Sequence, residues 1–226
     1  MLTGIQNLQP WLMLGVVAAI VVIFAVAEAL RKYAHIKIEA TRKFVHISAG
    51  LITLSFPYLF TSHVSVLVLS AGFLFLLLLS QRYHFLDSVN AIRRRSFGSL
   101  AYPVIIYVCF WMYLQKDNLL FYYLPLIIFI ISDPLAAFVG MKTKWIPYRL
   151  GKDAKTVAGS LAFLVSSFLL AGGVLVVYEQ LPFASVVSCS LLLAAGTTLA
   201  EAVSPWGLDN LFIPLSALVI LHLLNL

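Results

Sequence analysis

Long apolar runs separated by short polar linkers dominate the pattern along this chain of 226 residues. A helix crossing about 30 Å of hydrocarbon needs about 20 mostly apolar residues. Eight stretches approach that length, at 11–30, 45–60, 64–80, 100–115, 119–140, 157–178, 184–201 and 211–226. Several are short for a bilayer, which implies tilt or local thinning. The sequence lacks the period-2 alternation and Asn-Gly turns of an outer-membrane barrel. The pattern therefore predicts an all-α, polytopic integral membrane helical bundle of about eight helices, forming a single domain over 1–226.

Composition sharpens this reading. Apolar residues make up 62% of the chain and charged residues 11%, against roughly half and a quarter in soluble domains. Disorder, a secreted disulfide scaffold and a nucleic-acid module are excluded on that ground. Cys109 and Cys189 lie inside apolar runs and read as small core residues. Ala25 and Ala27 resemble a signal-peptide cleavage site, but residues 1–10 carry no Lys or Arg and the positive charge follows the apolar run at Arg31 and Lys32. The first segment is thus expected to be a retained helix. Fourteen of the fifteen basic residues fall in the linkers after the first, third and fifth segments, leaving Lys116 apart. The positive-inside rule then puts those linkers in the cytoplasm and both termini on the other side of a cell inner membrane or an endoplasmic-type membrane. The run Arg93, Arg94, Arg95 reads as a headgroup anchor for membrane lipids.

Four polar clusters crowd that predicted cytoplasmic face. His35, Glu39, Arg42 and His46 follow one another at helical spacing, with Lys43 one turn from Glu39. His46 opens an apolar span, where an ionisable side chain needs a partner or a task. Asp133, preceded by Ser132 and followed by Pro134, suggests either the cap of a broken half-helix or a carboxylate that takes a divalent metal carried by phosphates. Ala137 and Gly140 on its side permit close approach of a helix or ligand. In the third cluster, Gly151 and Gly159 bracket Lys152, Lys155 and Thr156 before a helix start at about residue 157. Flexible N–H groups, lysine charge and a helix N-terminus suit phosphate, although a plain basic connector fits as well. This is no Walker A loop, because Arg149 and Ala154 stand where its glycines belong. The fourth cluster, Glu201, Ser204, Pro205, Trp206, Gly207, Asp209 and Asn210, is either a capped turn or a contact for metal and ribose.

Read in order, E-A-T-R-K-F-V-H with S-A-G, S-F-G-S-L-A-Y-P, D-P-L-A-A-F-V-G, G-K-D-A-K-T-V-A-G-S, and E-A with L-D-N-L resemble the motifs of the dolichol kinase and phytol kinase family. Pro134 and Phe97 stand where that family usually has a small non-proline residue and a tyrosine. The resemblance implies a membrane kinase that uses CTP with Mg²⁺ to phosphorylate the hydroxyl of a lipid alcohol of polyprenol, dolichol or phytol type. It maps the nucleotide loop to Gly151 through Ser160 and the helix aspartate to Asp133. The expected roles follow. Lys152, Lys155, Thr156, Gly159 and Ser160 hold the triphosphate, with Asn210 near the ribose. Asp133 with Glu201 or Asp209 holds Mg²⁺. Arg42 or Lys43 stabilises the transferred group, and His46, oriented by Glu39, accepts the alcohol's proton. A phosphatidate cytidylyltransferase, a CTP-dependent diacylglycerol kinase and a non-enzymatic transporter or scaffold stay open as alternatives.

Overall fold

The structure is a computed structural model that describes residues 8–83, 85, 86, 88, 97–150 and 153–226. His84, Arg93, Arg94, Arg95, Gly151 and Lys152 lie outside the described residues. In chain order the helices are α1 (Pro10–Tyr33), α2 (Ile38–Thr53), the single turn α3 (Phe56–Leu59), α4 (His63–Tyr83) and α5 (Gly98–Lys116). Then come α6 (Leu120–Ile127), a π-helical stretch (Ile128–Ser132) and α7 (Asp133–Thr143), which run as one rod. A hairpin of β1 (Pro147–Leu150) and β2 (Asp153–Thr156) leads to α8 (Val157–Tyr178), α9 (Phe183–Val203) and α10 (Asp209–Leu223).

Seven of the eight expected apolar segments are mainly helical along their length, while the second, 45–60, is divided between the end of α2, a turn at 54–55 and the short α3. Among the described residues six helical rods are long and apolar enough to cross a membrane. The other two, α2 and α10, have 16 and 15 residues. At 1.5 Å per residue these reach only about 22–24 Å. The chain compensates at the end of α2, whose last carbonyls lack helical donors. Tyr122 donates its hydroxyl to the Thr53 carbonyl at 2.6 Å, and Tyr123 to that of Leu54 at 3.1 Å. In hydrocarbon such groups have no water to turn to, so the two tyrosines let a short helix end inside the protein.

The rod Leu120–Thr143 is the centre of the bundle. Of its most apolar stretch 56% is buried, against 22–33% in the other five long helices. Every residue from Leu120 to Ile130 is buried except Ile127, as expected of a helix apolar on all sides. The outer helices bury one stripe each. In α1 that stripe is Val16, Ile20, Phe24 and Ala27, at spacings that keep one face inward. α8 packs on α7 and α9, α9 on α10, and α10 returns to α5, so the fourth cluster is carried back toward the first.

Close helix approach fixes α8 against α7. A Cβ on Gly159 would meet the backbone carbonyl of Ala136 at 2.8 Å, and one on Gly140 the Thr156 hydroxyl at 2.7 Å. The small residues near Asp133 thus serve helix contact. Gly173, farther along α8, has nothing within 4 Å of such a Cβ. Gly159→Ala should therefore lower stability by about 1–3 kcal/mol, whereas Gly173→Ala should leave it equal or slightly higher. Thermal unfolding of both purified variants in one detergent measures the difference.

Candidate active cleft

The four polar clusters meet in one cleft of about 710 Å³. α2 supplies Glu39, Arg42 and Lys43; α7 supplies Asp133, Ala136, Ala137 and Gly140. The hairpin and the start of α8 add Lys155, Thr156, Gly159 and Ser160, and the α9–α10 turn adds Glu201, Gly207, Asp209 and Asn210. Every expected site residue among the described ones lines this cleft except His46. Lys144 and Met141 line it as well. Lys144 lies in the third linker but was not singled out, because one lysine among several basic neighbours carries no signal of its own.

Local structure accounts for each position. Between α1 and α2 the chain turns through Ala34–Lys37, with His35 at φ 51°. His35 thus stands exposed outside α2 and does not extend the stripe of Glu39, Arg42 and His46. Left-handed residues Lys144 and Ile146 (φ 51° and 47°) turn the chain into the hairpin, where Tyr148 pairs with Lys155 across the strands. The Val157 N–H closes the hairpin on the Ile146 carbonyl at 3.0 Å. The Thr156 hydroxyl then accepts the Gly159 N–H at 3.0 Å and caps α8. On the opposite wall, Gly98 lies so close to the α9–α10 turn that a Cβ would meet Asn210 Nδ2 at 2.9 Å. Asn210 donates to the Gly98 carbonyl at 2.9 Å, and Phe97 N–H to that of Trp206 at 2.9 Å.

The cleft is lined with paired charges. Lys43 donates to Asp133 across 90 positions of sequence. Lys155 donates to Glu201 Oε1 at 2.7 Å and lies 3.7 Å from Asp209 Oδ2. Glu201 Oε2 also accepts from Ser160 at 3.2 Å, and Ser160 bonds Tyr148 at 2.9 Å. Burial alone would lower the Lys155 pKa, but the Asp209 and Glu201 carboxylates outweigh it and hold it above the ordinary lysine value. Lys155 is therefore cationic at any physiological pH, and the stability it contributes fades only in alkali as that raised pKa is passed.

Two expected pairings are different in the structure. Glu39 binds Arg42 at 2.8 Å, three residues on, and neither Lys43 nor His46. His46 Nε2 instead lies 3.1 Å from the carbonyl of Phe129. The reason is in the central rod. In π register the partner of Phe129 is the residue five positions on, Pro134, which has no N–H. His46 supplies the missing donor. Since a carbonyl only accepts, Nε2 carries the hydrogen and Nδ1 keeps the free lone pair. Asp133 is likewise no cap: it is the first residue of α7, and the preceding Ser132 is already helical.

His46 lies beside the cleft, on the wall of a smaller chamber of about 110 Å³. Arg42, Lys43 and Asn210 line both spaces.

As for a metal, Asp133, Glu201 and Asp209 offer hard oxygen donors, but each faces a lysine. Among the described residues no three His, Cys, Asp or Glu side chains form a metal-holding group. That donor set does not make a resident cage. It does suit a magnesium ion that arrives on a triphosphate, which requires only one or two protein carboxylates.

One cleft requires one membrane side. Glu39→Cys and Lys144→Cys should react with a membrane-impermeant maleimide from the same side of sealed vesicles, in both vesicle orientations. Labelling from opposite sides would rule out a shared cleft.

No family model matches the chain, and no solved structure does. A curated relative, a phytol kinase of Synechocystis sp., is 30% identical over 231 residues, spanning 96% of this chain and 95% of its own. At that coverage the likeness spans the helices and linkers that build the cleft. The chain belongs to the phytol kinase family.

Proposed function

We propose that this chain is a membrane-embedded lipid-alcohol kinase that moves the γ-phosphate of CTP to the hydroxyl of a phytol- or polyprenol-type alcohol, at a cleft on the cytoplasmic side. Its termini would lie on the other side, as the basic linkers imply. The observation that carries the reading is the pairing of charges in the cleft. Arg42 pairs with Glu39, Lys43 with Asp133, and Lys155 with Glu201 and Asp209, so these cations and carboxylates neutralise each other without a ligand. A magnesium triphosphate offers both kinds of partner at once. The lysines can turn to phosphate oxygens while Asp133, with Glu201 or Asp209, turns to the metal. Exchange of partners avoids the cost of leaving a buried charge unpaired. At about 710 Å³ the cleft is within the usual size range of ligand sites, roughly 300–1,000 Å³.

Phosphoryl transfer asks mainly for positioning and for charge stabilisation. Magnesium would neutralise charge on the phosphate oxygens. Lys155 and the α8 N-terminus at Thr156 and Gly159 would hold the triphosphate, and Ser160 would add a hydroxyl beside Glu201. Asn210, at the junction of the cleft and the chamber, would contact the ribose. Arg42 or Lys43, at that same junction, would face the group in transfer. His46 would take the alcohol's proton at Nδ1, with Nε2–H bound to the Phe129 carbonyl in place of the Glu39 contact expected from spacing. CTP as donor is supported by the motif resemblance, since nothing in the lining selects a base.

With purified protein, magnesium and phytol, CTP labelled at the γ-phosphate should put label into lipid and CTP labelled at the α-phosphate should not. The opposite result would make the chain a cytidylyltransferase. Asp133→Ala should lower transfer by about 10²–10³-fold with insertion unchanged. His46→Gln should cost about 10²–10⁴-fold and remove the fall in rate toward acid that a base must show. A wild-type rate and pH profile in His46→Gln would defeat that role.

A further inference from the structure

The chamber beside the cleft has the chemistry of the other substrate. Its walls come mainly from α1, α2, α4 and α5, with Phe56 of α3 and Asn210 of α10 completing them, and away from its mouth they are mostly apolar, lined by Ile20, Phe24, Phe56, Leu69, Phe73 and Ile106. Two of its polar side chains are already engaged. Thr53 donates to the Gly50 carbonyl at 2.8 Å, and Tyr102 to that of His46 at 2.8 Å. Such a space has little to offer water and favours an apolar guest. The mouth is the reverse: Arg42, Lys43 and Asn210 belong to both chamber and cleft, and His46 stands on the wall. A guest that suits both ends has an apolar body and one polar head.

Size narrows the guest further. A cavity of about 150 Å³ holds one benzene ring, so the 110 Å³ here takes about one branched five-carbon unit. The tail of a phytol- or polyprenol-type alcohol is several times longer. Its remainder has an apolar surface to follow, because Val17 and Val21 of α1 and Phe75 and Leu78 of α4 are exposed on the outside of the same helices.

We propose that this chamber receives the hydroxyl-bearing isoprenoid unit of the acceptor, with the hydroxyl toward Lys43 and His46 and the rest of the tail outside in lipid, so that the enzyme selects the head of the alcohol and not its length. The proposal rests on the kinase reading above for the reaction, but the chamber's occupancy can be tested without it. Ala49 and Ser70 line the chamber from α2 and α4 and have no assigned role in chemistry.

The experiment uses the full chain in lipid nanodiscs with two readouts. In the first, Ala49→Phe and, as a second variant on a different helix, Ser70→Leu should each raise the KM for phytol at least tenfold while the KM for CTP stays within twofold. In the second, a phytol analogue carrying a diazirine next to its hydroxyl should crosslink to wild-type residues 69–77 or 102–106, and less in both variants. Unchanged phytol KM in two folded variants, or crosslinks confined to outward-facing residues, overturns the chamber while leaving the kinase standing. If wild-type protein phosphorylates no lipid alcohol, the kinase reading fails instead, and the crosslink alone decides whether the chamber binds the isoprenoid.

Discussion

The contact between the Lys43 ammonium and the Asp133 carboxylate holds the first half of the chain to the second at the level of the site. Both groups are largely withdrawn from water, and an unpaired charge there would cost several kcal/mol. The pair therefore sets how α2 is rotated against the central rod. That rotation turns Arg42 and Lys43 toward both spaces and leaves His46 beside the Phe129 carbonyl. A second pair, Lys155 with Glu201, does the same for the hairpin and the end of α9.

The irregular part of the central rod has a function in this arrangement. A straight α-helix would spend its carbonyls on its own N–H groups. The π stretch ahead of Pro134 frees one, and a histidine from a neighbouring helix takes it. π insertions are frequent at functional sites because they present a backbone group or side chain that a regular helix would hide. Here the free carbonyl fixes which nitrogen of His46 bears the proton. The proline that departs from the family's usual residue is thus part of how the imidazole is oriented.

The charge pattern also bears on how ligands enter. Paired lysines and carboxylates leave these cleft charges compensated, and under the proposed function each partner would be exchanged for a phosphate oxygen or a metal at small net cost. Under the proposed function, an apolar chamber opening on the same residues would separate the two substrates by chemistry: the charged one would have no place among Phe24, Leu69 and Phe73, and the apolar one would gain nothing among the lysines.

Much of this was legible in the chain itself. Apolar runs of membrane length are a local property, so the expected segments are mainly helical, although 45–60 is broken by a turn at 54–55 and α2 and α10 are shorter than a bilayer needs. The clustering of polar groups at one face follows from counting crossings, and the cleft takes residues from all four clusters. Partner choice was not legible. Spacing within α2 allowed Glu39 to meet Lys43 or to steer His46, and the structure pairs it with Arg42 while Lys43 reaches Asp133. Nor did the apolar run 119–140 reveal its π register, because one extra residue per turn does not alter hydropathy. The sequence by itself determined which segments leave water and which residues have charge to offer. Only the tertiary structure decided which charge meets which, since helix rotation is set by neighbours that lie far away along the chain.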